Sequence, residues 1–197
     1  MIGELGSFIL VLASFCAVIS FIPIALGAAK QNQFWARLWK PAMLVTFFGF
    51  TTALLLLGYA FLTNDFSIAY VANHSNRSLP DFYKVSAIWG SHEGSMLLWI
   101  WTICAWSLCY GIVSRDDANF KSKVFAAILG IIGLLGLFLI FTSNPFARNL
   151  PFYPLDGKDL NPILQDIGMI FHPPLLFLGY AGLALVFCLG IAGLVKG

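Results

Sequence analysis

The sequence predicts an all-α integral membrane protein, a bundle of about five transmembrane helices with two long loops on one side. Hydrophobic residues make up 59% of the 197 residues and charged residues only 10%. Soluble domains carry roughly 25% charged residues. Because so few charges cannot cover a water-facing surface, lipid must be the solvent for most of the chain. Residues 1–197 are therefore interpreted as a single transmembrane domain.

Five apolar runs are each long enough to cross the hydrocarbon core, which needs about 20 helical residues. They are predicted at residues 5–29, 41–63, 94–113, 124–143 and 170–195. The first run follows Glu4 instead of the basic segment that begins a signal peptide, so it is interpreted as a retained helix. In the fourth run, Gly130, Gly133 and Gly136 recur at three-residue spacing, which predicts close helix packing in lipid.

Basic residues are divided unequally between the segments that join these helices. Seven of the 11 lie on one side: Lys30, Arg37, Lys40, Arg115, Lys121, Lys123 and Lys196. The other four lie in two long polar loops, residues 64–93 and 144–169. The positive-inside rule therefore places the N-terminus and both long loops outside the cytoplasm. The lack of a clustered basic face argues against a nucleic-acid partner.

The first unusual segment is residues 89–95, WGSHEGS, at the predicted start of the third helix. A zinc protease would need a second histidine four residues after His92, and Met96 occupies that position. Two interpretations remain open. In the structural one, Ser91 caps the helix and Glu93 lies at the positive end of its dipole. In the functional one, the segment docks a partner or a large aromatic ligand.

The second unusual segment is residues 171–176, FHPPLL, near the start of the fifth helix. Proline is tolerated in a first helical turn, so Pro173 and Pro174 predict that His172 lies just before the helix, at the outer lipid boundary. A neutral imidazole held there by stiff backbone suits a haem-iron ligand. The alternative is an interfacial histidine that faces headgroups. His74 is interpreted as a solvated loop residue.

Both segments occur together with other unusual motifs in one protein family. The chain resembles the N-terminal region of the CcmF, NrfE and CcsA haem-handling family. The matching segments follow one another along nearly the whole chain, at residues 4–6, 63–67, 70–72, 89–95, 141–146, 159–166, 172–174 and 179–180. Several unusual motifs in the same order are far more specific than a shared hydropathy pattern.

The resemblance implies a role in cytochrome c maturation, with haem binding and haem transport. Members of this family receive haem from the chaperone CcmE. With CcmH-type partners, they attach the haem covalently to the CxxCH cysteines of apocytochrome c. The family also carries haem b within the membrane. The implied location is the bacterial inner membrane, with the long loops in the periplasm. An organellar protein would instead lie in the mitochondrial inner membrane, with those loops in the intermembrane space.

Carried over by position, the resemblance makes His172 an axial ligand of the haem iron. The supporting site comes from the two unusual segments and comprises Trp89, Gly90, His92, Glu93, Pro173 and Pro174. The tryptophan-rich WWD segment of the family is absent from this chain and is expected beyond residue 197, in the remaining portion of CcmF. The chain is thus expected to be a part of a haem lyase that is inactive alone. A non-catalytic membrane scaffold or docking subunit is the alternative.

Overall fold

The computed structural model describes residues 1–196. All the secondary-structure elements in this part of the chain are helices. The helices are α1 (Ile2–Ala29), α2 (Gln33–Ala36), α3 (Trp39–Leu62), α4 (Ala69–His74), α5 (Asp81–Ala87), α6 (His92–Val113), α7 (Ala118–Thr142) and α8 (Ile167–Lys196), with a 3-10 turn at Pro162–Leu164. Five segments are long and apolar enough to cross a membrane, with α2 and α3 counted together. The predicted all-α membrane fold is confirmed.

Each membrane helix begins earlier than the apolar run that predicted it. The largest difference is in α7, which begins at Ala118 instead of residue 124. The Asp117 carboxylate accepts the Phe120 N–H at 2.7 Å and thereby caps the helix in its polar first turn. Hydropathy detects only the apolar part of a helix, whereas the backbone becomes helical from the cap onward.

The glycines of α7 allow it to pack closely against α1. A Cβ atom added to Gly133 would lie 2.7 Å from Val18 Cγ2, and one added to Gly136 would overlap with Ser14. Because these positions have no side chain, the two backbones approach directly. The predicted close packing of the fourth membrane helix is therefore confirmed.

The fifth membrane helix lies at the edge of the bundle. Helix α8 packs on α6 and α7, while α1 lies between α3 and α7. In the most apolar 18-residue stretch of each helix, 50% of the residues of α7 are buried, compared with 22% of those of α8. Most of the α8 surface is therefore exposed within this chain.

The two ends of the bundle differ in chemistry. At the basic end, Lys121 Nζ donates to the Ser114 carbonyl at 2.7 Å, and Lys196 lies 2.9 Å from Asp117. The hydrogen bond from Lys196 holds the pKa of the Asp117 carboxyl below its ordinary value. At the opposite end, called the histidine end below, the chain segments 63–91 and 143–166 lie between the long helices.

Those two segments, called the paired loops below, are more ordered than the polar loops that the sequence predicts. The first contains α4 and α5, which are six and seven residues long. Backbone bonds join the segments: Ala69 donates to Ala147 at 2.8 Å, and Asn149 donates to Ser67 at 2.9 Å. Lys158 likewise donates to the Ala72 carbonyl at 2.8 Å. The paired loops therefore form one connected layer across the histidine end.

Candidate functional site

The structure places His172 inside α8, so the prediction that it precedes the helix is wrong. The backbone turns helical at Ile167 because Asp166 caps it, with Oδ1 accepting the Gly168 N–H at 2.7 Å. Pro173 and Pro174 consequently lie within the helix and not in its first turn. An internal proline removes one helical hydrogen bond, which must be replaced or lost.

The lost bond at Pro173 is replaced from the other unusual segment. In an α-helix the N–H of residue 173 would donate to the Met169 carbonyl, and proline has no N–H. The Trp89 indole donates Nε1–H to that carbonyl oxygen at 3.2 Å. The 89–95 segment therefore contacts the turn of α8 that carries His172.

A second link holds the segment before α8 in place. The Tyr83 hydroxyl donates to the Gln165 carbonyl at 3.0 Å, and the Gln165 amide donates to Leu160 at 2.9 Å. Leu160 also approaches Gly90, where an added Cβ would lie 3.4 Å from Leu160 Cδ1. A narrow cleft at this junction is lined by Ser86, Trp89, Gly90, Leu160, Leu164 and Met169. The segment that leads into α8 thus packs against α5 and the start of α6.

Buried Tyr70 organises the turn before α6. Its hydroxyl accepts the Ser91 N–H at 3.2 Å and lies within hydrogen-bond distance of the Ala87 and Ile88 carbonyls, at 3.0 and 3.1 Å. Ser91 occupies the N-cap position but makes no side-chain cap, so this part of the structural interpretation is wrong. Burial raises the pKa of the Tyr70 phenol, which keeps the hydroxyl protonated and able to donate.

Replacement of Tyr70 by phenylalanine should destabilise the histidine end by about 1–3 kcal/mol, because the half-buried Ser91 N–H loses its acceptor. Thermal unfolding of the purified protein in detergent measures this effect. Tyr59→Phe is the matched control, since Tyr59 is exposed. Wild-type protein should also lose stability as the pH rises above 10.0, the ordinary pKa, because folding raises the pKa of Tyr70. Tyr70→Phe should lose less stability than the wild type over this alkaline range, and equal loss in both proteins would contradict the prediction.

His92 and Glu93 lie at the first turn of α6. His92 is exposed, with Nδ1 3.3 Å from Ser91 Oγ and 3.4 Å from Glu93 Oε2. That oxygen of Glu93 is buried and has no hydrogen-bond partner within residues 1–196, because its approach to His92 lacks hydrogen-bond geometry. As predicted, Glu93 lies where the helix dipole favours a negative charge.

The three histidines occupy different environments. His172 is exposed, and no residue within 1–196 hydrogen-bonds to its ring. In that same range, no hydrogen bond joins His92 to His172. His74 is half-buried at the end of α4, with Nδ1 2.9 Å from the Tyr70 carbonyl, so its prediction as a solvated loop residue is wrong. The structure brings Trp89 to the His172 helix, but it does not join the histidines.

The residues that hold this site together, chiefly Tyr70, Gln165 and Met169, were not among the predicted site residues. One sequence signal points to Met169. A proline inside a helix leaves the carbonyl four residues earlier without its N–H donor, and for Pro173 that carbonyl belongs to Met169. The donors come from a chain segment about 80 residues away, and nothing in the sequence pairs them.

The chain is similar to known proteins along at least 99% of its length. The chain is 44% identical over 201 residues to the cytochrome c-type biogenesis protein CcmF of Haemophilus influenzae and 41% identical over 204 residues to that of Escherichia coli. It is 40% identical over 196 residues to NrfE of Haemophilus influenzae. The alignments cover at least 99% of this chain but only 31% of each relative. The predicted resemblance to the N-terminal region of CcmF is confirmed.

The fold is also similar to that of a solved structure, the cytochrome c heme lyase CcmF. The TM-score is 0.84 at 23% identity, covering all of this chain and 31% of the solved one. The model of the cytochrome c assembly protein family matches residues 89–197, which include both unusual segments. That match extends over more than half of the sequence, and this chain therefore belongs to the cytochrome c assembly protein family.

Proposed function

We propose that this chain is part of a haem lyase for cytochrome c maturation and that His172 ligates the iron of the incoming haem. The observation that carries the proposal is the state of His172. Its imidazole is exposed, makes no hydrogen bond within residues 1–196, and projects from α8 at the histidine end. An exposed imidazole without a hydrogen-bond partner is free to coordinate iron.

The surroundings of His172 fit a haem group. Phe171 and Leu175 flank it and leave 64% and 65% of their surfaces exposed. These apolar side chains suit the macrocycle, while the ring nitrogen suits the iron. A second axial ligand would come from the remaining portion of CcmF, which would also supply the WWD segment. Bound haem supplies the vinyl groups that react with cysteine thiols.

The partners follow from the same assignment. The histidine end faces the periplasm in this proposal, because the basic end carries most of the lysines and arginines. CcmE would deliver haem there, and CcmH-type proteins would present the CxxCH segment of apocytochrome c. Each cysteine S–H would add across one vinyl group, forming a carbon–sulfur bond and passing its hydrogen to the other vinyl carbon. His172 and its apolar neighbours would hold the haem during this addition.

The test uses a bacterial strain that lacks its own CcmF and receives this chain with the remaining portion. His172→Ala should lower covalent haem on a c-type cytochrome at least about tenfold, the effect of losing roughly 1.4 kcal/mol of binding. Haem-stained gels measure the attachment, and membrane immunoblots establish that each variant accumulates equally. His74→Ala is the matched control, because the half-buried His74 ring already contacts the Tyr70 carbonyl.

The outcomes separate the ligand from a docking role. Full attachment with His172→Ala in an accumulated protein would remove His172 as a ligand. His92→Ala distinguishes the alternative scaffold function, since His92 is an exposed residue of the 89–95 segment. Loss of attachment in His92→Ala with normal haem binding would indicate that this segment docks a partner.

A further inference from the structure

We infer that Trp89 is a positioning residue for His172, an inference that rests on the proposed function. The geometry is the indole Nε1–H bonded to the Met169 carbonyl at 3.2 Å, in place of the N–H that Pro173 lacks. Trp89 thereby fixes the turn of α8 from which His172 projects, while remaining attached to the start of α6.

The bond matters because of where it lies along α8. His172 is the residue immediately before Pro173, in the part of α8 that loses one backbone bond at Pro173 and another at Pro174. A proline ring also crowds the carbonyl four residues earlier, so that this turn is weakly held by its own helix. An external donor to the Met169 carbonyl replaces the bond lost at Pro173. It also sets the direction of this turn relative to α6. Without the Trp89 hydrogen bond, the His172 ring would adopt a wider range of orientations.

Trp89 is itself held firmly enough to act as a support. Its carbonyl accepts a hydrogen bond from the Ser95 hydroxyl at 2.9 Å, one turn into α6. A Cβ atom added to neighbouring Gly90 would lie 3.3 Å from the Ala87 carbonyl oxygen, which shows how closely the backbone doubles back there. The indole therefore transmits the position of α6 to the turn that contains His172.

The same helix provides an internal comparison. Trp106 Nε1 donates to the Leu178 carbonyl at 2.9 Å, which is the same type of bond to the same helix, about two and a half turns beyond Met169. The residue four positions after Leu178 is Gly182, which has an N–H, so Trp106 adds to a helical bond instead of replacing one. Trp106→Phe is consequently the matched control for Trp89→Phe.

The experiment uses the assembled complex with the remaining portion of CcmF, loaded with haem. Absorption difference spectra against His172→Ala isolate the signal of the iron that His172 ligates. Trp89→Phe keeps the aromatic ring but removes the donor. It should convert part of the haem from low spin to high spin and weaken His172 ligation about fivefold, the effect of losing one hydrogen bond. Trp106→Phe should leave the spectrum unchanged.

The decisive variant combines Trp89→Phe with Pro173→Ala. Alanine at 173 supplies the N–H that proline lacks, so the double variant should recover the low-spin spectrum. Two results would overturn the inference: a wild-type spectrum in Trp89→Phe, or a defect that Pro173→Ala fails to rescue. A wild-type spectrum in His172→Ala would instead refute the proposed function.

Discussion

Substitution of Gly94 by alanine is expected to prevent correct folding of the histidine end. A Cβ at this position would overlap with the Ile88 carbonyl oxygen and lie 2.8 Å from the Tyr70 hydroxyl. Both obstacles are fixed, because one is backbone and the other is a buried ring bonded to its neighbours. Insertion into such a packed site should cost about 3 kcal/mol or more.

Thermal unfolding in detergent and membrane accumulation measure the Gly94 effect. Gly179→Ala is the control, because Gly179 is also helical and a Cβ there has nothing within 4 Å in this chain. The Gly94 variant should unfold at a clearly lower temperature and lose covalent haem attachment. An unfolding temperature equal to that of Gly179→Ala would show that the turn at Ile88 is not as tight as the structure indicates.

The second large effect is expected where α1 meets α7. Simultaneous replacement of Gly133 and Gly136 by leucine should force these helices apart, because an added Cβ already meets Val18 and Ser14. In lipid no hydrophobic force compensates for lost packing between apolar helices, since the lipid tails are equally apolar. The expected cost exceeds about 3 kcal/mol, the upper end for overpacking.

Helix α8 offers a control of the same spacing. Gly190 and Gly193 are also three residues apart in a membrane helix, and neither has an atom within 4 Å of an added Cβ. The chain is expressed in bacterial membranes, and protease resistance there reports packing. The Gly133/Gly136 variant should be degraded rapidly and the Gly190/Gly193 variant more slowly. Equal resistance of the two would contradict a close α1–α7 contact.

The sequence predicts the membrane helices well because each is a long apolar run with few charges. It does not locate their first turns, as in α7, where the polar residues after Asp117 are already helical. It also misses α4 and α5, because helices of six and seven residues are too short for a reliable periodic pattern. These short helices are held by contacts with the rest of the bundle, which no local pattern contains.

The candidate site was only partly predictable for a related reason. The unusual segments around Trp89 and His172 are visible in the sequence, and family resemblance joins them. The position of His172 within α8 could not be predicted, because prolines usually mark a helix start and here an external donor replaces the bond that Pro173 removes. Such a donor lies about 80 residues away in the chain, and only the three-dimensional fold brings it close.

The connected layer of the paired loops has a consequence for how fast partners associate. Flexible segments must lose conformational entropy when they bind, and that loss weakens binding or slows it. The backbone bonds between Ala69 and Ala147 and between Asn149 and Ser67 order these segments before any encounter. Under the proposed function, a partner protein would meet segments that are already ordered, and its association would not have to wait for them to order. Slow exchange of the Ala69 and Asn149 amide hydrogens with solvent would show that these segments are ordered before binding.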